Sequence, residues 1–331
     1  MYKRLPFAVY LILLLPACSH EQPKRVSEPV QAPVQAQIKV EEPVAIPKAG
    51  VKPPASDVVI LLSSDIPAYN DVAMSIAARL GSRAHTWRLQ ASAAQNEKLL
   101  ADIAKLQRSQ VVAIGLDAAV IAKKLVDKQM IFCQVFNYED EQLPSAMHKG
   151  VGMLPSFKKS FSAWKAISPR LKQIAIITGP GLNEYVSKAK TAAKAQGITV
   201  LHREVNSDME FLMEYKSVAN SVQGYWLWPD NRVLSGVVLR EVLTFSMRGG
   251  KQVVVFNDEL LELGGLISAT ADHKDIANNV IKRLQQAEGK PTVPGNVIEP
   301  LDVAHLRINS LMAQRLGLTV PNQYKKYLNA R

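Results

Sequence analysis

Cysteine is scarce in this chain, and the two that it has, Cys18 and Cys133, are far apart in sequence. Cys133 stands inside an apolar run, which is typical of a small buried hydrophobic residue. With so few cysteines there is no disulfide framework, so the fold must be stabilised by its own hydrophobic core. No histidine and cysteine partners stand at the spacing of metal ligands, and we therefore expect no metal site, no cofactor and no cysteine nucleophile.

A dense basic segment is also lacking, although the formal net charge is +11 at pH 7. Lysine and arginine residues are scattered among acidic residues, and aromatic residues do not alternate with them. Nucleic-acid binding requires a concentrated basic surface. We therefore expect no nucleic-acid partner and interpret the charge as surface solvation.

No apolar run is long enough to cross a membrane, which takes roughly 20 residues. A shorter apolar run at residues 5–15 follows two basic residues, and Leu15-Pro16-Ala17-Cys18 comes next. A basic start, a short apolar run and a small residue at the cleavage position are typical of a secretory signal. The last four residues resemble the lipobox of bacterial lipoproteins, which predicts a signal peptide at residues 1–17 and lipidation of Cys18, with palmitate among the acyl chains.

A lipidated Cys18 would anchor the protein to a membrane of the cell envelope, because more than one acyl chain gives stable anchoring. An ordinary secretory signal with an incidental cysteine is the alternative. An uncleaved anchor is disfavoured because nothing apolar continues past Cys18. Ser19 resembles the outer-membrane sorting pattern, so in a Gram-negative host we expect a periplasm-facing lipoprotein of the outer rather than the inner membrane.

Residues 18–56 are predicted to form a spacer. The stretch from 21 to 56 contains seven prolines and no aromatic residue. Such a composition cannot bury enough apolar surface to fold, and proline makes the segment extended and semi-rigid. The spacer would hold the folded region away from the bilayer.

Beyond residue 57, short apolar runs alternate with helical patterns. Apolar strands joined by helical crossovers predict parallel sheets covered on both faces. The rhythm occurs twice around a break at 137–149, which predicts an α/β protein of two Rossmann-like lobes with an interlobe cleft. The predicted strands are 58–62, 85–89, 111–114, 130–135, 174–177, 199–202, 225–228 and 253–256. The predicted helices are 69–80, 93–106, 118–126, 183–195, 209–220 and 233–247.

Four motifs of the folded region resemble those of one family. They are Ile114-Gly115-Leu116-Asp117-Ala118-Ala119, Trp228-Pro229-Asp230-Asn231, Gly264-Gly265-Leu266 and Leu306-Arg307-Ile308-Asn309. Their order and spacing between Asp57 and Pro321 resemble the substrate-binding proteins of ABC transporters, in a bacterial family with the type I periplasmic-binding-protein fold and links to aromatic amino acids.

The resemblance implies that the chain crosses between the two lobes three times. It implies an N-lobe at 57–136 plus 267–292 and a C-lobe at 150–262 plus 296–325. The crossovers would act as hinges, and closure around a ligand would give the state that a membrane partner recognises.

Three segments depart from the family pattern. Leu116-Asp117 replaces Thr-Pro at a helix N-terminus that would suit a ligand carboxylate, and an aspartate there would repel an anion. Asn137-Tyr138-Glu139 replaces Asp-Pro at the first crossover. Residues 148–153 lose the polar types that face the ligand in the family.

Polar and aromatic residues that follow the predicted strands are the ligand-binding candidates, because such lobes bind ligands beyond the carboxyl ends of their strands. Helix capping, a surface turn or burial in the core are their alternative roles. Trp226 and Trp228 alternate on one strand, so one should face the core while the other can face the cleft. The candidates are Ser63, Ser64, Asp65, Tyr69, Asp117, Asn137, Tyr138, Trp228, Asp230 and Asn257.

Together these features predict a solute-binding lipoprotein that captures a small, amino-acid-like or related molecule and passes it to an ABC permease. The alternative is a non-transport envelope lipoprotein that uses the same fold for sensing or for regulating another protein. No nucleophile, paired carboxylates or metal cluster converge, so we expect no enzymatic activity.

Overall fold

Two six-stranded sheets, each packed between layers of helices, form the described part of the protein. The computed structural model describes residues 58–106 and 110–329; Cys18 and the proline-rich spacer lie outside them. The strands are β1 (Val58–Leu62), β2 (Ala84–Arg88), β3 (Gln110–Ile114), β4 (Met130–Cys133), β5 (His148–Val151), β6 (Gln173–Thr178), β7 (Thr199–Glu204), β8 (Gly224–Trp226), β9 (Gln252–Val255), β10 (Ile267–Thr270), β11 (Ile298–Glu299) and β12 (His305–Ile308). The helices are α1 (Pro67–Leu80), α2 (Ala93–Ala104), α3 (Leu116–Ala122), α4 (Phe157–Ile167), α5 (Asn183–Lys194), α6 (Asp208–Ser217), α7 (Gly236–Arg248), α8 (His273–Ala287) and α9 (Ser310–Arg315).

The first sheet has the strand order β11-β5-β4-β3-β1-β2, and its neighbouring strands run parallel. All five residues of the inner strand β1 are apolar and buried. Helices α1 and α8 cover one face of this sheet, and α2 and α3 cover the other. Because both faces are covered, the inner strands are continuous apolar runs rather than alternating ones.

The second sheet has the order β12-β10-β9-β8-β6-β7. Its strands run parallel except β12, which pairs antiparallel with β10. Helix α4 packs its buried residues Phe161 and Trp164 on one face, and α6 and α7 cover the other. The prediction of an α/β fold with two mostly parallel sheets is confirmed.

We call the first sheet with α1–α3 and α8 the first lobe, and the second sheet with α4–α7 and α9 the second lobe. One hydrophobic cluster contains core residues of both lobes, among them Leu61 and Phe132 of the first and Ile176 and Trp226 of the second. All described residues also belong to one compact unit. The lobes therefore meet through a shared apolar interface.

The strand pairing puts the three crossovers elsewhere than the predicted lobe boundaries. Strand β5 pairs with β4, so the first crossover follows Val151. Strand β10 pairs with β9 in the second sheet, so the chain returns only after Thr270, and α8 then packs on α1. The third crossover lies between β11 and β12. Strands β5 and β10 each add to the sheet of the preceding strand before the chain crosses to the other lobe. The spacing of the sequence motifs does not show to which sheet such a strand belongs.

Within residues 58–106 and 110–329, no helix combines the length and the apolar character that a membrane span requires. The same residues contain no group of three or more potential metal ligands. Cys133 is fully buried and unpaired, and burial raises the pKa of its thiol to about 12. The expectation that Cys133 is a buried hydrophobic residue is confirmed.

Candidate functional site

A cavity of about 210 Å³ lies between the two lobes, at the carboxyl ends of strands from both sheets. From the first lobe, Gln134 follows β4 and Met153 lies on the crossover after β5. From the second lobe, Trp226 ends β8, Phe256 follows β9 and Thr270 ends β10. This is the place where open parallel sheets bind ligands.

A second depression, of about 410 Å³, lies at the opposite end of the second sheet. Residues 220–223, before β8, and residues 250–252, at the start of β9, line it. It is shallow and open to solvent, and it lies away from the carboxyl ends of the strands. Size alone does not make it a binding site, and we take the interlobe cavity as the candidate.

An aromatic cluster fills the cleft beside the cavity. The ring of Phe136 stacks on Tyr185 at 6.0 Å between centroids, and Tyr138 meets Tyr185 edge-on at 5.9 Å. The Tyr138 hydroxyl donates a hydrogen bond across the lobes to Glu184 Oε2, at 3.3 Å. Trp228 is buried against Phe136, with centroids 6.4 Å apart. Burial raises the pKa of Tyr138 and keeps its phenol protonated as a donor.

Arg232 joins acidic side chains of the two lobes. Its Nε lies 2.8 Å from Asp230 Oδ1, within the second lobe, and its Nη1 lies 2.6 Å from Asp140 Oδ2, in the first. Asp230 is only 2% exposed, and its other oxygen accepts a hydrogen bond from the Gly179 amide at 2.8 Å. Hydrogen bonding to Asp230, followed by the charges of both carboxylates, raises the pKa of Arg232. The buried charge of Asp230 is thereby compensated within the protein.

The N-terminus of α3 is closed by the loop after β1. Ser63 Oγ accepts a hydrogen bond from the Ala118 amide at 2.9 Å. Gly115 has φ +89°, and a Cβ on it would come within 2.8 Å of the Tyr69 ring. Burial, then the charge of Asp117, raises the pKa of Tyr69. The helix end at which the family pattern would place a ligand carboxylate is therefore occupied by the protein's own groups.

The remaining candidates of the first lobe have local roles or face solvent. Asp65 is exposed and forms an ion pair with Arg88 at 2.7 Å. Ser64 is half-buried on the same loop, and Asp117 is exposed on the first turn of α3. These positions are near the carboxyl ends of the strands, but they do not line the cavity.

The two asparagine candidates also bind neighbouring groups. Asn137 is half-buried, and its amide nitrogen lies 3.4 Å from Asp140 Oδ2. Asn257 is exposed, and its side-chain oxygen accepts a hydrogen bond from the Glu259 amide at 2.9 Å, which caps the helical turn after β9. None of the ten sequence-predicted contacts is among the residues that line the cavity.

Sequence reasoning missed the residues that do line it. Gln134 interrupts the apolar run of the predicted strand at 130–135 with a polar side chain. That interruption was the sequence signal that could have identified Gln134 as a candidate. Alternation along the predicted strand 225–228 left open which of Trp226 and Trp228 faces the cleft, and Trp228 was the candidate. Strand β8 ends at Trp226, and Trp226 rather than Trp228 lines the cavity. Thr270 ends a strand that was not predicted from the apolar pattern.

The family follows from the comparison with known proteins. Residues 82–329 match the family model for ABC transporter substrate-binding proteins. The chain belongs to this family. It is thus a substrate-binding protein rather than an enzyme, as the sequence predicts. No curated protein matches the chain closely enough to count as a relative.

Solved structures share the fold at low identity. An ABC domain from Streptococcus pneumonia in complex with L-Trp is 19% identical, with a TM-score of 0.55, covering 82% of this chain and 99% of that one. The ligand-free, open structure of a substrate-binding protein with adhesive properties from Clostridium difficile is 15% identical, with a TM-score of 0.59, covering 82% and 97%. A conserved domain protein from Vibrio cholerae is 16% identical, with a TM-score of 0.55, covering 83% and 99%.

Proposed function

We propose that this substrate-binding protein captures a small molecule in the interlobe cavity and delivers it to the permease of an ABC transporter from a lipid anchor. The observation that carries the proposal is the cavity itself, because both lobes contribute to its wall at the carboxyl ends of their sheets. A ligand held there touches Gln134 of one lobe and Thr270 of the other. Its binding would therefore couple to the closure of the lobes.

The first test is a thermal-unfolding screen of the full chain against amino acids, sugars, purines and short peptides. A ligand present at 100 times its Kd stabilises the folded state by about 2.7 kcal/mol. We expect such a shift from one chemical class only. Equal melting temperatures across the panel would contradict solute capture. L-Trp belongs in the panel because the Streptococcus pneumonia protein binds it.

The anchor rests on the lipobox-like sequence that ends at Cys18 and on the spacer after it. The direct test is labelling of growing cells with radioactive palmitate. We expect label on the parent, none on Cys18→Ala and full label on Cys133→Ala, because Cys133 is buried in the fold. Label on Cys18→Ala would overturn the proposal. Fractionation of the two membranes then tests the expectation of an outer-membrane location that comes from Ser19.

A non-transport role in the envelope is the second candidate, and one observation favours it. The part of the cleft around Tyr138 and Trp228 is filled by the protein's own aromatic rings, and Arg232 already holds the lobes together. These contacts between the lobes can hold them together without a bound solute. Cross-linking in cells separates the candidates: transport predicts adducts with a permease, whereas sensing or regulation predicts adducts with another envelope protein.

A further inference from the structure

The lining of the interlobe cavity restricts the chemistry of what it can hold. Building on the proposed function, we propose that the solute is an uncharged molecule with a single ring, whose hydrogen-bonding group meets the Gln134 amide and the Thr270 hydroxyl. This departs from the amino-acid-like solute that the sequence favours.

The volume sets the size of the solute. A cavity of roughly 150 Å³ accommodates benzene, and drug-sized ligands occupy pockets of about 300–1,000 Å³. At about 210 Å³ the interlobe cavity lies between these values. It has room for one six-membered ring with a small substituent. The contribution of Trp226 and Phe256 to the wall suits a flat, unsaturated ring.

The described lining of the cavity carries no charged side chain, which favours a solute without charge. Eleven described residues line the cavity, and none of them is acidic or basic. Moving a charged group from water into such a site without a partner costs far more than moving a neutral one. The guanidinium of Arg232 is already bound to Asp230 and Asp140, and the Ala118 amide at the start of α3 already donates its hydrogen bond to Ser63. A zwitterionic amino acid would therefore find no charged side chain in the described lining to pair with either of its charges.

Two polar side chains remain to orient a neutral solute. Gln134 is half-buried and has φ +56°, a left-handed conformation that is strained for a residue with a side chain. Its carboxamide has no hydrogen-bond partner among the described residues, and it offers a donor and an acceptor side by side. The Thr270 hydroxyl, from the other lobe, can give or accept one further bond. This set matches an amide or lactam edge on the ring.

The test is isothermal titration calorimetry of the full chain with benzamide and uracil as neutral probes. Benzoate, which has the shape of benzamide and a negative charge, and L-Trp form the charged arm. We expect benzamide or uracil to bind at least tenfold more tightly than benzoate and L-Trp. Tighter binding of benzoate or L-Trp would overturn the proposed solute class and leave solute capture intact. No heat from any of the four probes would overturn the proposed solute class, and solute capture itself would then stand or fall with the thermal-unfolding screen.

Two variants test whether the neutral probe binds in the interlobe cavity. Gln134→Gly relieves the left-handed strain and removes the carboxamide, and Thr270→Val removes the hydroxyl at nearly constant shape. Each should weaken binding of the neutral probe about tenfold. Gln142→Gly is the matched control, because Gln142 also has a positive φ, +48°, and is exposed outside the cavity wall. Unchanged affinity in both cavity variants, or equal weakening in the Gln142 control, would contradict the assignment.

Discussion

At the scale of single residues, Asp230 shows how a buried charge is compensated at the strand ends. Its carboxylate receives two hydrogen bonds from the Arg232 guanidinium, one from the Arg232 amide and one from the Gly179 amide. Burial of a carboxylate that is only 2% exposed is costly without such partners. The same side chain was a plausible ligand contact from sequence, because a polar residue after a strand serves either purpose. Only the position of Arg232 and Gly179 in three dimensions distinguishes the two roles.

The substitution Arg232→Gln should therefore lower the free energy of unfolding by about 2–3 kcal/mol, since the buried carboxylate of Asp230 loses its ion pair with the guanidinium. Urea denaturation measures this. Arg307→Gln is the control, because Arg307 and Asp258 form an exposed pair at 3.2 Å that should contribute only about 0–1 kcal/mol. Equal losses of unfolding free energy in the two variants would show that the buried Asp230 ion pair stabilises the fold no more than the exposed Arg307 pair does.

The side chain of His202 predicts a dependence of stability on pH. Burial, then the charges of Lys190 and Arg203, lowers its pKa from 6.5 to about 4. The unfolded chain therefore takes up a proton before the folded one as the pH falls. Stability from neutral His202 is complete above about pH 6.5 and is lost between pH 6.5 and about 4, by about 1–2 kcal/mol after allowance for partial exposure.

Urea midpoints measured across that range test this, with His202→Gln for comparison. The variant should lose less stability than the parent on acidification, because glutamine does not titrate. Lys190→Gln should make the loss smaller than in the parent, since removal of a neighbouring positive charge brings the folded-state pKa of His202 closer to its unfolded value. Identical slopes in parent and His202→Gln would contradict the assignment.

At the scale of elements, the turn between β3 and α3 depends on Gly115. Its φ of +89° is left-handed, and a Cβ there would lie 2.5 Å from Ser63 Oγ and 2.8 Å from the Tyr69 ring. The substitution Gly115→Ala should therefore destabilise the fold by at least about 2 kcal/mol, through strain and a displaced β1 loop.

The comparison for that prediction is Gly236→Ala in urea denaturation. Gly236 begins α7, and a Cβ there meets no atom within 4 Å. That variant should be neutral or stabilised by up to about 1 kcal/mol through its higher helix propensity. A Gly115→Ala protein as stable as the parent would rule out the close packing around this turn.

The inner strands of both sheets could be predicted because burial on both faces leaves uninterrupted apolar runs such as β1 and β9. Strand β5 was missed, since it begins with His148 and Lys149 and looks like a loop. Helix α4 was missed although Phe157, Phe161 and Trp164 recur at helical spacing after Ser156. Edge strand β11 has two residues and leaves no periodic signal.

At the scale of the whole molecule, the lobes are joined by apolar packing and by single polar contacts from Arg232 and Tyr138. The two-lobed fold could be predicted because the alternation of apolar strands and helices occurs twice, and the family could be predicted from the order of four motifs along the folded region. The site could not, because capping, ion pairing and ring packing each occupy polar or aromatic residues at strand ends. Which of them remain for a ligand depends on how the lobes meet.

The most direct test of solute capture between the lobes is a calorimetric titration that compares two substitutions on α1, using the tightest solute from the screens. Ala68 is exposed and lies at the cavity wall, whereas Ala78 is exposed on the same helix outside it. Ala68→Trp should fill the cavity and abolish binding, and Ala78→Trp should bind like the parent. A protein that binds equally well with tryptophan at residue 68 would contradict the account.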